Sequence, residues 1–282
     1  MRRHVTPEPV PEDFAALDSL SVGVVVHRLD HGELQRTLTT LREAMVPLDG
    51  VAVSLDLIDN SDDSSLAPAL ARVAAESGWP VAHVRSGHGN VGYGRGHNLA
   101  IRASQAAAHL VLNPDVEVDT GALQAALSTL AQPGVVLVGA VGRDGRGQPA
   151  RLSKRMPSVW VLFLRGFAPH ALRRRFAKRL AHYEYHDLAT DRVSDVMLVS
   201  GAFMLARTSV LQAVGGFDER YFLHFEDLDL SLRMATQGRV VSDPRVTLIH
   251  HGGHSARKGV GHVLRFARSG VRFFRTHGWR WR

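Results

Sequence analysis

The feature that most constrains the fold of this chain is a series of strand-length apolar runs that alternate with helix-length amphipathic stretches. Residues 21–26, 51–58 and 109–112 are predominantly apolar, as expected for strands that a parallel sheet buries on both faces. Between the first two, residues 33–45 carry leucines at helical spacing. Helices are also predicted over residues 98–108 and 169–180, and a last strand over residues 245–249. Strands that alternate with helices form right-handed β–α–β units. The sequence therefore predicts an α/β fold with a doubly wound, mainly parallel sheet flanked by helices.

Polar residues follow two of these predicted strands, at the edge where an open α/β sheet binds its ligands. Asp59 follows the second strand, and Asn113-Pro114-Asp115 follows the third. Proline ends the strand, and the Asp115 carboxylate, with Glu117 two residues on, suits Mg²⁺ or Mn²⁺ shared with substrate phosphates. Asp115 could equally cap the turn or the helix predicted from Thr120. A cation site and a turn cap are both open at this stage.

Three carboxylates, Glu226, Asp227 and Asp229, lie in the first turn of a helix that the spacing of the apolar residues predicts. A double-glycine turn, Gly215-Gly216-Phe217-Asp218-Glu219, precedes them. Acidic residues favour the first turn of a helix on electrostatic grounds alone. Together with Asp115 upstream and a histidine-glycine segment downstream, however, the cluster indicates an active site.

Glycines accompany two further polar segments. His250-His251-Gly252-Gly253-His254-Ser255 combines imidazoles, a hydroxyl and room for close backbone approach, which is typical of an anion-binding loop. His250 is predicted to bind the metal or a phosphate there. Residues 90–98 form a glycine-rich stretch whose spacing matches neither a dinucleotide fingerprint nor a P-loop. Its backbone amides and Arg95 suit a nucleotide diphosphate instead.

The positive charge of the chain is concentrated in two segments. The 282 residues have a formal net charge of +7, yet residues 151–180 hold nine Lys or Arg and no acid, and residues 257–282 hold eight and no acid. Such segments suit nucleic acid or an anionic membrane surface. The absence of cysteine excludes disulfides and thiolate metal sites. The start of the sequence is proline-rich and not apolar, so we expect no secretory signal there. No apolar run is long enough for a membrane span to be predicted.

Both basic segments have amphipathic patterns. The tail has an apolar stripe, an arginine stripe and two tryptophans beyond them: Val260, Val263, Leu264, Ala267, Val271 and Phe274; Arg265, Arg268, Arg272 and Arg275; Trp279 and Trp281. Residues 159–180 repeat this combination. Basic residues with marginal aromatics are typical of a helix that lies in a membrane interface. Alternatively, both helices pack on the domain and direct their arginines outward.

Seven segments, taken in order, resemble those of the family 2 glycosyltransferases, and within that family the rhamnosyltransferase-like branch. The segments are Ile58-Asp59-Asn60-Ser61, Asn90-Val91-Gly92-Tyr93-Gly94, Leu112-Asn113-Pro114-Asp115-Val116, Gly201-Ala202-Phe203-Met204, Gly215-Gly216-Phe217-Asp218-Glu219, Glu226-Asp227-Leu228-Asp229-Leu230 and the His250–Ser255 segment. The resemblance covers residues 21–256, and the shared order is more specific than any one segment.

The resemblance implies a GT-A fold, with a Rossmann-like nucleotide-binding half followed by an acceptor half. We expect a lead-in over residues 1–20, a single domain over 21–256 and a basic amphipathic C-terminal helix within a tail over 257–282. The domain would divide into a nucleotide-sugar half (21–120) and an acceptor and catalytic half (121–256). A dTDP- or UDP-sugar donor, Mg²⁺ or Mn²⁺, and inversion at the anomeric carbon are also implied.

Residue roles follow from the same resemblance. Asp227 is the expected general base, with Glu226 beside it, and Asp115 and His250 are the expected metal ligands, with His251 as the alternative to His250. The first Asp of the family's Asp-x-Asp motif is here Asn113. The remaining predicted roles are donor binding by Asp59, Asn90, Gly92, Arg95, Asn98 and Asn113, and lining of the sugar or acceptor pocket by Gly201, Phe217 and Asp218.

These expectations describe an inverting, metal-dependent glycosyltransferase. It would move rhamnose or a similar deoxyhexose to a hydroxyl of a lipid-linked glycan during polysaccharide or lipopolysaccharide synthesis. We expect a cytoplasmic protein at the inner face of the plasma membrane, with a membrane surface and no nucleic acid among its partners. The competing class is a non-catalytic nucleic-acid or anionic-surface binder, which leaves the acidic cluster around Asp227 unexplained. A nucleotidyltransferase would need a glycine-rich N-terminal loop that residues 21–28 lack.

Overall fold

The first part of the chain alternates strands and helices as predicted. The structure, a computed structural model, describes residues 17–79, 81–252 and 260–282. Its first elements are β1 (Ser19–Val26), α1 (His31–Met45), β2 (Ala52–Asp59), α2 (Leu66–Glu76), β3 (His83–Arg85), α3 (Tyr93–Ala103), β4 (Ala108–Leu112) and β5 (Val116–Val118). The predicted lead-in lies outside the described residues up to residue 16.

The second part is less regular and ends in a long helix. It contains α4 (Ala122–Leu130), β6 (Val135–Asp144), β7 (Pro149–Ala150), β8 (Ser153–Lys154), α5 (Val159–Gly166), α6 (His170–Arg175), α7 (Ala177–Tyr183), β9 (Ser194–Asp195), β10 (Leu198–Val199), β11 (Phe203–Arg207), α8 (Thr208–Ala213), α9 (Glu226–Met234), β12 (Arg239–His250) and α10 (Val260–His277).

One mixed sheet runs through the protein in the order β3-β2-β1-β4-β11-β6-β12-β5, with β7 and β9 pairing alongside. Its β3-β2-β1-β4 side is parallel, β6 and β12 are parallel, and β11 is antiparallel to both of its neighbours. The α/β class and the mostly parallel sheet are therefore confirmed. The antiparallel β11 joins the two parallel groups, so β4, β6 and β12 run in the same direction and their carboxyl ends lie at one edge. At that edge β5, which follows β4, pairs with the end of β12.

Burial explains why the first strands and helices form. From Leu20 to Val26 every residue of β1 is buried, as expected for a strand covered on both faces. In α1 the buried residues recur at helical spacing, and the Asp30 carboxylate accepts the Glu33 amide at 3.0 Å as an N-cap. These elements share one large apolar core with α2, α4 and the inner strands. The core holds the strand ends of the site rigidly.

Three elements differ from the sequence prediction. Helix α3 begins at Tyr93, not at residue 98, so part of the glycine-rich stretch is helical. Its first turns are buried, and this packing outweighs the low helix propensity of glycine. The basic helix predicted over 169–180 is divided into α6 and α7, which meet at Phe176. Strand β12 begins at Arg239, earlier than predicted, because residues 239–242 pair with β6.

Helix α10 confirms the predicted amphipathic tail helix, but only part of the predicted apolar stripe lies on its buried face. Phe273 and Phe274 are buried against the domain, whereas Leu264 and Val271 are exposed. The arginines at 265, 268 and 275 are exposed as well. The helix thus has an aromatic inner face and a basic, partly apolar outer face. In the part of the chain that the structure describes, no helix has both the length and the apolarity needed to cross a membrane.

Candidate active site

The site is built around the start of α9, where the backbone takes an uncommon path. His224 and Phe225 have φ angles of 71° and 68°, in the left-handed region that non-glycine residues rarely adopt. Two such residues in a row cost roughly 1–3 kcal/mol each unless neighbouring contacts hold them. Phe225 is also the N-cap residue of α9, and it has no side-chain capping bond. This turn directs the next two residues, Glu226 and Asp227, into the protein.

Asp227 is held by two backbone amides. Its Oδ2 accepts the Gly201 amide at 3.0 Å and its Oδ1 accepts the Leu228 amide at 2.9 Å. Burial raises the pKa of Asp227 despite these bonds, which favour the ionised form. Each oxygen keeps a further lone pair, so the fixed carboxylate can still accept a proton from a bound hydroxyl.

Glu226 lies deeper than Asp227. Its side chain is 5% exposed, and its Oε2 has no hydrogen-bond partner among the described residues. Burial, followed by the neighbouring Asp227 charge, raises the pKa of Glu226 well above its ordinary value. Because two adjacent buried carboxylates resist double ionisation, the pair holds one proton in common near neutral pH.

Tyr93, at the start of α3, links the two halves of the site. Its hydroxyl donates to the Gly201 carbonyl at 2.7 Å and lies 3.0 Å from the Asn113 side-chain oxygen. Burial, and then the charges of Glu226, Asp227 and Asp115, raise the pKa of Tyr93 well above its ordinary value. The charges of these three carboxylates therefore act on one phenol, although Asp115 is distant in the chain from Glu226 and Asp227.

His250 connects Asp115 to the cavity beside Asp227. Its Nε2 is 3.4 Å from Oδ1 of Asp115, because β12 ends next to the β4–β5 turn. A cavity of about 380 Å³ is lined by His250, Glu226 and Asp227, and also by Lys154 and other basic side chains. Burial lowers the pKa of Lys154 to about 8. The cavity thus has an acidic wall and a basic wall.

His250, which lines this cavity, and its neighbour Asp115 supply some of the donor atoms that a divalent cation needs. Among the described residues, no group of three or more His, Asp or Glu side chains is arranged to hold a metal ion. Asp115 and His250 offer one carboxylate and one imidazole. Mg²⁺ and Mn²⁺ typically take one or two protein ligands, with phosphate oxygens and water completing the shell. The pair therefore fits a cation that binds together with a diphosphate.

His251, the alternative ligand, is directed elsewhere. Its Nε2 is 2.7 Å from Oε1 of Glu117, which also pairs with Arg36 at 3.1 Å. This places His251 beside β5, while His250 lies at the cavity. Of the two histidines, the geometry favours His250 as the cation ligand. Gly253, His254 and Ser255, the rest of the predicted anion loop, lie outside the described residues.

The predicted nucleotide-binding residues cluster at the carboxyl ends of β1 and β2. Asp59 is buried and accepts the Ser61 hydroxyl at 2.7 Å. Asn60 binds the 90–92 segment, since its Oδ1 accepts the Val91 amide at 3.0 Å and its Nδ2 donates to Asn90 Oδ1 at 3.3 Å. A cavity of about 520 Å³ opens here, lined by residues 27–29 and 61–66 among others. It lies where an α/β sheet accommodates a nucleoside.

Gly92 and Arg95 lie on either side of the α3 start. Gly92 has φ of 91°, and a Cβ there would be 2.4 Å from the Phe222 carbonyl oxygen, so glycine is required. Arg95 is more than half exposed, with its Nε 3.4 Å from Glu219. Gly92 therefore holds the loop against residue 222, and Arg95 remains accessible from solvent. Their predicted donor contacts stay predictions.

Asn98 and the predicted pocket residues Phe217 and Asp218 form a clamp between α3 and the double-glycine turn. Asn98 is buried; its Oδ1 accepts the Phe217 amide and its Nδ2 donates to the Phe217 carbonyl, both at 2.8 Å. Phe217 is buried with its ring 6.0 Å from that of Tyr93. Asp218 pairs with Arg220 at 2.6 Å. Asn98 and Phe217 thus hold α3 against the double-glycine turn.

Several site residues were not found from the sequence. Tyr93 lies within the recognised Asn90–Gly94 segment, which gave a signal for the site, but no role was predicted for Tyr93 itself. Lys154, Arg165 and Tyr183 line the cavity from the irregular region after β7. Their sequence pattern gave no signal, because the basic run from 151 to 180 reads as a surface segment. The basic wall of the cavity therefore depends on the positions of α5 and α7, which contribute Arg165 and Tyr183.

The chain is similar to a known protein family in sequence and to solved structures in fold. The sequence model of the family described as "Glycosyltransferase like family 2" matches residues 24–251. The mannosyltransferase PcManGT from Pyrobaculum calidifontis, solved with GDP-Man and Mn²⁺, superimposes with a TM-score of 0.63 at 16% identity and covers 91% of this chain and 63% of that one. The likeness shows a shared GT-A fold, as predicted.

Two curated relatives are rhamnosyltransferases by name. N-acetylglucosaminyl-diphospho-decaprenol L-rhamnosyltransferase of Mycobacterium tuberculosis is 33% identical over 181 residues, which are 61% of this chain and 57% of that protein. Rhamnosyltransferase WbbL of Escherichia coli is 38% identical over 68 residues, which are 24% of this chain and 26% of that protein. The chain thus spans little more than half the length of the first and about a quarter of the second.

Proposed function

This chain belongs to the glycosyltransferase-like family 2, and from that premise we propose that it is an inverting, metal-dependent glycosyltransferase. It moves a sugar from a nucleotide diphosphate to a hydroxyl of a lipid-linked glycan. The observation that carries the proposal is the placement of a fixed, partly buried carboxylate, Asp227, on a cavity that is also lined by His250, the neighbour of Asp115.

Asp227 acts as the general base. Hydrogen bonds from the Gly201 and Leu228 amides fix the orientation of its carboxylate, and with it the directions of the remaining lone pairs. The acceptor hydroxyl transfers its proton to Asp227 as the oxygen attacks the anomeric carbon, and the bond to the diphosphate breaks. Direct attack from the opposite face inverts the anomeric centre. Proton acceptance of this kind contributes roughly 10²–10⁴ in rate.

The basic wall of the cavity serves the leaving group. Lys154, Arg165 and Arg151 line the same cavity as Asp227 and would neutralise the diphosphate charge as it develops. Asp115 and His250 would hold the divalent cation, which when bound stabilises the same negative charge. The nucleoside would occupy the cavity at the ends of β1 and β2, beyond Asp59.

The names of the relatives support the choice of sugar and acceptor. The mycobacterial relative is named for rhamnosyl transfer to an N-acetylglucosaminyl-diphospho-lipid, and the Escherichia coli relative is named a rhamnosyltransferase. We therefore assign a deoxyhexose, rhamnose, on a dTDP or UDP carrier as the donor, and a lipid-diphosphate sugar as the acceptor. The product is an intermediate of cell-surface polysaccharide or lipopolysaccharide synthesis.

A lipid-linked acceptor requires the protein to reach a membrane surface. Trp279, Trp281 and Phe163 are exposed large apolar side chains. Their segments meet, because the Val159 amide donates to the Arg280 carbonyl at 2.8 Å. Exposed arginines lie on α6, on α10 and beside these tryptophans, which matches the charge of an anionic leaflet. We assign this basic-aromatic surface to peripheral binding at the cytoplasmic face of the plasma membrane.

The central test is Asp227→Asn, which keeps the size of the side chain and removes the base. Purified protein is incubated with dTDP-rhamnose or UDP-sugars, Mn²⁺ and an N-acetylglucosaminyl diphosphate lipid, and the transferred sugar is measured by mass. We expect transfer to fall by roughly 10²–10⁴ while the fold is retained. Asp195→Asn, at an exposed carboxylate on β9 that pairs with Arg239, is the matched control and should keep full activity.

Near-wild-type transfer by the Asp227→Asn protein would contradict the assigned base. The competing class, a non-catalytic binder that uses the arginine segments, predicts salt-sensitive affinity for an oligonucleotide and no donor turnover. Release of nucleotide from a sugar donor by the wild-type protein, lost in Asp227→Asn and kept in Asp195→Asn, separates the two classes.

A further inference from the structure

The strained turn before α9 is covered by α10. Tyr221 and Phe225 of the turn form one buried apolar cluster with Phe273 and Phe274 of the helix. The ring of Phe225 is 5.1 Å from that of Phe266 and 5.4 Å from that of Phe273. The aromatic inner face of α10 therefore packs on the residues that lead into Glu226 and Asp227.

Polar contacts fix the same turn from the same helix. The Ser269 hydroxyl donates to the Leu223 carbonyl at 2.9 Å. Nε2 of His262 is 3.2 Å from Nε2 of His224, the first of the two left-handed residues. Residues 262, 266, 269 and 273 of α10 thus contact the turn formed by residues 221–225.

His277, in the last turn of α10, reaches past the turn to α9 itself. Its Nε2 is 2.8 Å from Oδ1 of Asp229, a side chain that is 1% exposed. The other oxygen of Asp229 accepts Arg233 Nε at 2.8 Å, and Arg233 donates to the Gly216 carbonyl at 2.7 Å. His277 therefore orders the first turn of α9 together with the double-glycine turn.

Residues 221–225 also contact the nucleotide side of the cleft. The Phe222 carbonyl accepts the Tyr93 amide at 3.1 Å, and it leaves no space for a side chain at Gly92. Tyr93 in turn contacts Gly201 and Asn113. A continuous set of contacts runs from α10 through residues 221–225 to both sides of the cavity.

We propose that α10 positions the base: His277, with Ser269 and Phe273, holds the left-handed turn at 224–225 in the one conformation that directs Asp227 into the cavity. His277 is a positioning residue, since it contacts Asp229 and does not line the cavity. The role in turnover rests on the proposed glycosyltransferase function. The role in ordering residues 221–229 does not depend on it.

The test compares His277→Ala with His277→Gln, because the amide nitrogen of glutamine can replace imidazole Nε2 as the donor to Asp229. His31→Ala, at an exposed histidine on α1 that pairs with Glu76 at 3.1 Å, is the matched control. Amide hydrogen exchange over residues 221–229 and kcat and KM for the donor are measured on the full chain. Loss of alignment at a reacting centre costs up to about 100-fold in rate.

We expect His277→Ala to speed exchange over 221–229 but not in β1–β4, and to lower kcat about 10- to 100-fold with donor KM changed less than about twofold. His277→Gln should restore both, and His31→Ala should match the wild type. Ser269→Ala, a milder change, should act in the same direction and keeps the test valid if His277→Ala does not fold.

Wild-type exchange and kcat in both His277→Ala and Ser269→Ala would overturn the proposal. So would faster exchange spread evenly over the whole sheet, since α10 would then act only through global stability. If the wild-type protein turns over no nucleotide sugar, the proposed function fails, whereas the exchange measurements still decide whether α10 orders the turn.

Discussion

At the scale of single residues, Glu226 is the most unusual group in the site. A buried carboxylate normally has a partner for each oxygen, yet Glu226 Oε2 has none among the described residues, and Asp227 is its neighbour. Both conditions favour the protonated acid. A neutral Glu226 leaves the single negative charge of the pair on Asp227, where the proposed reaction needs it.

This arrangement predicts how stability depends on pH. The pKa of Glu226 is raised in the folded protein, so its contribution to stability is complete in acid and is lost as the pH rises through the folded pKa. Glu226→Gln stays neutral, and we expect it to raise the melting temperature of the protein increasingly as the pH is taken from 6 to 9. Thermal unfolding followed by circular dichroism measures the difference at each pH.

Glu43→Gln, at an exposed carboxylate on α1, controls for the loss of one negative charge and should show no such trend. A melting temperature of Glu226→Gln that falls below that of the wild type at alkaline pH would mean that ionised Glu226 stabilises the fold, contrary to the expected direction.

At the scale of elements, the packing of α3 on β1 and β4 contains two buried histidines. His97 and His109 are both fully buried, and the missing side chain of Gly23 leaves room for their rings, since a Cβ there would be 3.3 Å from each. His109 Nδ1 is 2.6 Å from the Ser21 hydroxyl. Burial lowers the pKa of His109 to about 4 and that of His97 well below its ordinary value. Both rings are therefore neutral in the folded protein.

This pair predicts an acid-sensitive fold. The unfolded chain binds a proton at His109 below about pH 6.5 and the folded protein only below about 4, so the free energy of unfolding falls between these values by about 3 kcal/mol. His109→Asn keeps an atom at the Nδ1 position and cannot titrate there. We expect its stability to fall less than that of the wild type between pH 6.5 and 4.5, measured by urea unfolding.

The exposed His170 provides the control, and His170→Asn should follow the wild-type pH dependence. An unchanged acid dependence in His109→Asn would exclude that ring as the source of the effect.

The same elements show what the sequence could predict. The apolar runs of β1, β2 and β4 could be recognised because burial on both faces leaves few polar residues in them. The start of α3 was predicted five residues late, since glycine-rich sequence resembles a loop until the packing partner is known. Only Phe274 of the inner face of α10 was in the predicted stripe. Phe273 was not, because it packs on Tyr221 and Phe225, which lie far away in the chain.

At the scale of the whole molecule, the two basic segments come together. Backbone bonds from Val159 to Arg280 and from Trp160 to Trp281 join α5 to the end of the chain. Stacked rings, among them those of Trp279 and Trp281 at 5.2 Å, extend over this junction. Two segments that looked independent in the sequence form one basic-aromatic surface.

The surface predicts lipid-dependent flotation. The full chain should float with phosphatidylglycerol vesicles and much less with phosphatidylcholine vesicles. Trp279→Ala combined with Trp281→Ala should weaken vesicle binding at least about tenfold, because both apolar contact and the interfacial position are lost. Val46→Ser, at an exposed apolar residue after α1, is the control. Equal flotation of the double variant, or preference for an oligonucleotide over vesicles, would contradict a membrane role.

The predicted site also shows a division by scale. Asp115, Asp227 and His250 could be grouped from the sequence because each follows a recognisable strand or begins a recognisable helix. Lys154, Arg165 and Tyr183 could not, because they reach the cavity only through the irregular path between β7 and β9. The acidic wall is thus encoded in regular elements, and the basic wall in loop geometry that no local pattern specifies.

The late place of α10 in the chain has a consequence for biosynthesis. A ribosome releases both sides of the donor cleft, with the acids at 226–227 among them, well before residues 260–277 emerge. We expect a nascent polypeptide that has folded its sheet to transfer sugar slowly until residues 260–277 pack on the turn before α9. Translation would thereby delay full activity until α10 has been synthesised.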